Sequence, residues 1–383
     1  MQFTICSGSA IDEAIAKISD ADEIAIDTEF HAENRHTPEL LLLSIHIPNV
    51  DTVLIDPQEP GAMSRIAEVV STTPWIVHAG SRDIALLNAA FGNVPTEIFD
   101  TQIAAGLLSP AYPASFQSIV SDYGEHVPSK GETLSDWKRR PLSNAQLNYS
   151  AGDVIPLPHV AHVMRQALAK RNRLGIAKEA FQEAITLATM TSNPDLAYLH
   201  IPSLPSLSRQ GATILQALAA WREEQALREN RSPFSVISNA ALHRFSREQP
   251  TSIQDLQKNR RLSKRVIGKY GEALLEKIQV AASRPEWAWP HHIQNDTAAQ
   301  DRAFWLDVVA RAVGREEDFS AKLLLPPHLR DAIAINPEKA IGCMEEVLSW
   351  RNALIGLPII SALRGESTLW HPNDANGYPT IRK

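Results

Sequence analysis

Ile24-Ala25-Ile26-Asp27-Thr28-Glu29-Phe30 is the stretch whose reading decides the fold. Its β-branched run predicts a strand, and on a strand residues i and i+2 share a face. Asp27 and Glu29 therefore project side by side with Ala25 behind them, while Ile24, Ile26 and Thr28 turn the other way. Two ionised carboxylates held in register repel each other, so the pair calls for a cation or for one retained proton. Hard cations with oxygen ligands, Mg²⁺ or Mn²⁺, are the natural occupants. The plainer alternative is two solvated acids at the end of an edge strand.

Outward from that stretch, residues 1 to about 55 read as β-rich, with Leu40–Ile47 and Thr52–Ile55 as further strands. Ile11, Ala14, Ile15 and Ile18 fall on one face of a preceding helix. A helix over Ala62–Val70, a strand over Trp75–Ala79 and a helix opening at Gly80 or Ser81 follow. Strands in succession and then αβα alternation describe a mixed sheet flanked by helices. Asp83 lies in the first turn after a strand, where ligand sites of open α/β sheets gather. A match to the helix dipole explains an acid there equally well.

Asp100 to Leu108 reads as a capped helix. The polar loop from Ser129 to Arg140 carries Lys130, Lys138, Arg139, Arg140 and one aromatic, Trp137. It suits either a phosphate backbone with a base or a solvated loop pinned by its tryptophan. Ser143 and Gln146 form a capping box for a helix that puts Tyr149 and Asp153 on one face, four residues apart. Gly152 inside that helix implies a close neighbour, since glycine there costs about 1 kcal/mol relative to alanine.

The motifs Asp27-Thr28-Glu29-Phe30, His78-Ala79-Gly80-Ser81-Arg82-Asp83, Phe99-Asp100-Thr101-Gln102, Lys130 to Trp137 and Tyr149-x-x-x-Asp153 occur in this order. In that order they resemble the ribonuclease D family, in the Tyr-containing branch of the DEDD exonuclease superfamily. The resemblance implies a ribonuclease H-like α/β exonuclease domain over 1–170, in which Asp27, Glu29, Asp83 and Asp153 converge on two divalent cations. It departs at Glu39 and Ser44, where the family usually has glutamines, at Gly152 in place of alanine, and at His31 in a normally apolar position.

The second half reads as helical. A connector over 171–208 ends in the Pro/Ser stretch Ile201 to Ser208. Residues 209–285 resemble an HRDC domain on Trp221-Arg222-Glu223 and Pro250-Thr251-Ser252, with Trp221 expected in the core. Residues 300–368 resemble a second, diverged HRDC-like domain. The expected fold class is thus an exonuclease domain followed by two all-α domains. Lys258, Arg260, Arg261, Lys264, Arg265 and Lys269 form a basic run, either a solvated face or a phosphate-contacting one.

The 383 residues fit two or three domains, and the hydrophobic share of 44% with 21% charged is that of a globular protein. No secretory signal and no membrane span is visible. Two cysteines are too few for a disulfide framework, so a reducing cytoplasm is expected. A net charge of −7 disfavours a generic nucleic-acid coat but allows a local basic groove.

The expected activity is hydrolysis of RNA from its 3′ end to nucleoside 5′-monophosphates. In this reading Asp27 bridges both cations, Glu29 and Asp153 complete one, and Asp83 holds the other. Tyr149 orients the attacking water. Phe30 either stacks on the terminal base or is a core aromatic, and Lys130, Arg260, Arg261, Lys264 and Arg265 contact phosphates. Transfer-RNA precursors are the substrate the resemblance implies; no protein partner can be inferred. The alternatives are a 3′→5′ DNA exonuclease and a non-catalytic RNA-binding scaffold.

Overall fold

The computed structural model describes residues 2–124, 135–190, 194–201, 207–258, 262–285, 296–366, 368–370 and 380–382. The chain forms two compact units, one of residues 1–31, 39–190 and 301–383, the other of 32–38 and 191–300.

The first unit holds the sheet. Strand β1 (Thr4–Cys6) precedes helix α1 (Ala10–Ser19), and β2 (Ile24–His31), β3 (Glu39–Ile47) and β4 (Asp51–Ile55) follow. Next come α2 (Ala62–Thr72), β5 (Trp75–Val77), α3 (Ser81–Phe91) and β6 (Ile98–Asp100). The six strands are ordered β1-β4-β3-β2-β5-β6. Strand β2 is antiparallel to β3 and parallel to β5, so it lies inside the sheet with a neighbour on each side. Ile24, Ala25 and Ile26 are buried, as are Leu41, Leu42, Leu43 and Ile45 of β3. Apolar residues at successive positions mean that both faces are covered.

The covering helices include α4 (Thr101–Leu108), α5 (Phe116–Tyr123), α6 (Asn144–Val154), α7 (Leu157–Lys170) and α8 (Leu174–Thr189). Helix α6 lies against β2, β3 and β4. Both halves of its capping box form. Gln146 N–H donates to Ser143 Oγ at 3.2 Å, and Ser143 N–H donates to Gln146 Oε1 at 3.0 Å.

The helices of the second unit are α9 (Arg209–Arg228), α10 (Pro233–Val236), α11 (Asn239–Glu248), α12 (Ile253–Gln257) and α13 (Lys264–Ala282). Leu215, Leu218, Trp221 and Ala226 of α9 are buried, and Trp221 meets Tyr270 edge-on at 5.4 Å between ring centroids. Ser252 caps α12 by accepting from Asp255 N–H at 3.2 Å. Ser263 caps α13 by accepting from Val266 N–H at 3.2 Å.

Helix α14 (Thr297–Glu316), α15 (Ala321–Leu324) and a run of short helical segments from Pro327 to Leu363 return the chain to the first unit. This block is joined to α4 and α8. Ser320 N–H donates to Gly106 O at 2.8 Å. Arg173 donates to Leu107 O at 2.8 Å and to Glu317 O at 2.5 Å, with its guanidinium 3.7 Å above the Phe319 ring. Arg351 donates to Glu183 at 2.8 Å. A Cβ at Gly106 would lie 2.8 Å from Leu323 Cδ2 and 2.9 Å from Tyr112 Cδ2, so α15 approaches α4 closely there. Among the described residues no helix is long and apolar enough to cross a membrane.

Candidate active site

Strand β2 delivers Asp27 and Glu29, half-buried, to the sheet face covered by α6, and α6 delivers Asp153. Carboxylate oxygens of these three residues lie within 4.8 Å of one another. Asp83, in the first turn of α3, is buried. Its Oδ1 accepts from Thr28 N–H at 3.1 Å and from Thr28 Oγ1 at 2.5 Å. The register explains this contact. Strand β5 stops at Val77 and pairs with β2 only at Ile24 and Ala25, so Thr28 lies beyond the ladder and its N–H donates to the acid of the following helix. A bulge between Glu29 and Phe30 ends the regular β2–β3 pairing beside the site, where bulges commonly re-aim side chains.

The four acids burden one another. Burial pushes Asp27 well above the usual carboxylate range, reinforced by Asp83, Asp153 and Glu29. Glu29 is raised to about 8 by burial and then by Asp153 and Asp83. Asp83 is raised to about 6 by burial, against the lowering effect of its Thr28 bonds. Asp153 is raised to about 6 by burial, against a hydrogen bond from Tyr149. Oxygen-only ligands with excess negative charge suit a hard divalent cation, which removes the penalty by its own charge. The residues present fit such an ion.

Tyr149 reaches the acids from the face of α6 that also packs on Trp137, with ring centroids 6.2 Å apart. Trp137 is buried with Leu41, Leu42, Leu54 and Leu147, so the described part of its loop is pinned into the core. Arg140 is likewise engaged. It pairs with Asp56 and donates to Leu41 O at 2.8 Å and Trp137 O at 2.7 Å. Phe30 is half-buried. Lys264 and Arg265 are exposed at the start of α13 in the second unit and have no ion-pair partner among the described residues. Lys258 and Lys269 of the same basic run are paired, with Asp255 and Glu229, each at 2.7 Å. Lys130, Arg260 and Arg261 lie outside the described residues.

Two residues at the site escape a reading of the sequence. Strand alternation puts Thr28 on the far side from the acids, yet its hydroxyl holds Asp83. Asp100 reads as a helix cap and gives no sequence signal of a second contact.

A mixed sheet whose central strand and flanking helices bring four acids and a tyrosine together defines a 3′→5′ exonuclease of the DEDD class. The model of the family described as 3′-5′ exonuclease matches residues 3–169, and that of the HRDC domain matches residues 212–278. Ribonuclease D of Psychromonas ingrahamii is 30% identical over 291 residues, covering 76% of this chain and 78% of its own. Ribonuclease D of Zymomonas mobilis is 30% identical over 327 residues, covering 83% and 79%. The crystal structure of Escherichia coli RNase D superposes with a TM-score of 0.82 at 23% identity, covering 95% of this chain and 99% of that one. The chain belongs to the ribonuclease D family and is a 3′→5′ exoribonuclease.

Proposed function

We propose that the enzyme trims the 3′ ends of structured RNAs, transfer-RNA precursors among them, using two divalent cations, Mg²⁺ or Mn²⁺. The observation that carries this reading is the approach of Asp27, Glu29 and Asp153 to within 4.8 Å, with carboxyl groups driven toward protonation by their own proximity and burial. Asp27 would be the ligand common to both cations, Glu29 and Asp153 would complete one, and Asp83 would hold the other. Cations bound there supply Lewis-acid polarisation of the scissile phosphate and of the attacking water.

The chain's own groups supply the rest. The Tyr149 hydroxyl, directed by Asp153, orients the attacking water and assists its deprotonation. Glu29 accepts a hydrogen bond from the terminal 3′-OH, and Phe30 stacks on the last base. Lys264 and Arg265, with Arg260, Arg261 and Lys130, contact phosphates of the RNA. The Escherichia coli relative is described as an exoribonuclease involved in structured RNA processing, which supports the substrate class.

The test uses one RNA of transfer-RNA size with a short 3′ trailer, labelled at its 5′ end. With Mg²⁺ present, a ladder shortening from the 3′ end and release of nucleoside 5′-monophosphates are expected, with a 3′-phosphate blocking the reaction. Internal cuts, or equal turnover of the matching DNA, would contradict the reading.

A further inference from the structure

Asp100 ends β6 and caps α4, and its side chain is 3% exposed. Capping accounts for two of its bonds, in which Oδ1 accepts from Gln102 N–H at 2.8 Å and Ile103 N–H at 3.3 Å. Two more bonds have no part in the cap. Oδ1 also accepts from Ala79 N–H at 3.2 Å, and Oδ2 accepts from Gly80 N–H at 2.9 Å. These reach across to the turn between β5 and α3, three to four residues ahead of Asp83.

That turn needs holding. Ala79 has φ +53°, a left-handed conformation that costs a residue with a Cβ about 1–2 kcal/mol. Gly80 lies so close beneath Val77 that a Cβ there would be 2.4 Å from Val77 Cγ2. Helix α3 has no side-chain cap of its own, since its cap residue is Gly80. The neighbouring Thr101 strengthens the same link, donating to Val77 O at 3.1 Å and pairing with His78 Nδ1 at 3.0 Å. The start of α3, and with it the direction of Asp83 toward Thr28, is therefore set from β6 and α4.

We propose that Asp100 is a positioning residue for Asp83, fixing the turn that aims this acid at the cation site. Buried groups that orient metal ligands in this way commonly contribute about 10–100-fold in affinity or rate. The proposal rests on the two-cation reading above.

Two variants divide the cap from the tether. Asp100→Ser keeps a good helix cap but does not reach Ala79 and Gly80. Asp100→Asn keeps Oδ1 but turns an amide, which cannot accept, toward Gly80. Ser238→Ala, which removes the cap of α11 at Ala241 N–H in the second unit, is the control for a missing cap outside the unit that holds the site. Each full-length protein is titrated with Mn²⁺ without RNA, and the single-turnover rate is then measured at saturating RNA. The expected result for both Asp100 variants is one Mn²⁺ weakened, and the saturated rate lowered, by about 10–100-fold with RNA affinity unchanged. Ser238→Ala should lose stability only. Should Asp100→Ser fail to fold, Asp100→Asn alone decides. Wild-type Mn²⁺ affinity and saturated rate in Asp100→Asn would overturn the proposal, whatever its melting temperature. A wild-type protein that binds a single Mn²⁺ would contradict the two-cation reading instead. The saturated rate would then decide the role of Asp100.

Discussion

Replacing Asp27 by asparagine should stabilise the metal-free protein, and the gain should grow with pH. Asp27 is raised well above its ordinary value of 3.8 by burial and by Asp83, Asp153 and Glu29. An acid of this kind binds its proton more tightly in the folded than in the unfolded chain. Its stability contribution is thus complete at low pH and is lost as pH rises above the unfolded value toward the folded one. The loss is about 1.4 kcal/mol per pH unit for one proton taken up on folding. Asparagine carries no such proton. Solvent reaches the half-buried side chain and screens part of the effect, so the gain per pH unit is smaller than that slope. Denaturant titrations in EDTA at about pH 5, 6.5 and 8, read by amide exchange in β2 and α6, isolate the first unit from the second. The variant should be close to wild type at the lowest pH and clearly more stable at the highest. Saturating Mg²⁺ should close the gap by stabilising only the wild type. A difference independent of pH, or a variant no more stable at about pH 8, would refute the reasoning.

Tyr149→Phe should lower the saturated rate about 10²-fold with RNA affinity intact, the scale of a missing water-orienting or acid–base group; a loss confined to RNA binding would remove that role. A chain cut after residue 205 should not give a stable exonuclease. It lacks Phe319, Ser320, Leu323 and Arg351, which cover α4 and α8, and leaves Arg173 without its Glu317 carbonyl partner; circular dichroism melting would show a lower or absent transition. Lys264→Gln with Arg265→Gln should weaken binding of transfer-RNA-sized substrates and flatten its log–log salt slope by about 0.7–0.9 for each phosphate that is no longer neutralised. An unchanged slope would make these two side chains a solvated face.

The paired acids of β2 are legible because a strand repeats every two residues, and Tyr149 with Asp153 because a helix repeats near four. Neither period says that the two pairs meet. That information comes from the order of motifs resembling a family. Thr28 is misread for a definite reason. Alternation assigns it to the other face, but the shortness of β5 opens an edge position where Asp83 enters and accepts from both its N–H and its hydroxyl. Asp100 is hidden differently, since capping α4 explains it locally and its bonds to Ala79 and Gly80 span about twenty residues. Composition could not separate a phosphate-binding loop from a pinned one at Trp137 and Arg140. The Asp56 partner that commits Arg140 to the fold lies 84 residues away.

The most direct measurement is anomalous diffraction from crystals of the wild-type chain soaked in Mn²⁺. The account predicts one anomalous peak among Asp27, Glu29 and Asp153 and a second between Asp27 and Asp83, with both missing in Asp27→Asn. Peaks elsewhere, or a manganese-free acidic cluster in crystals that still degrade RNA, would contradict it.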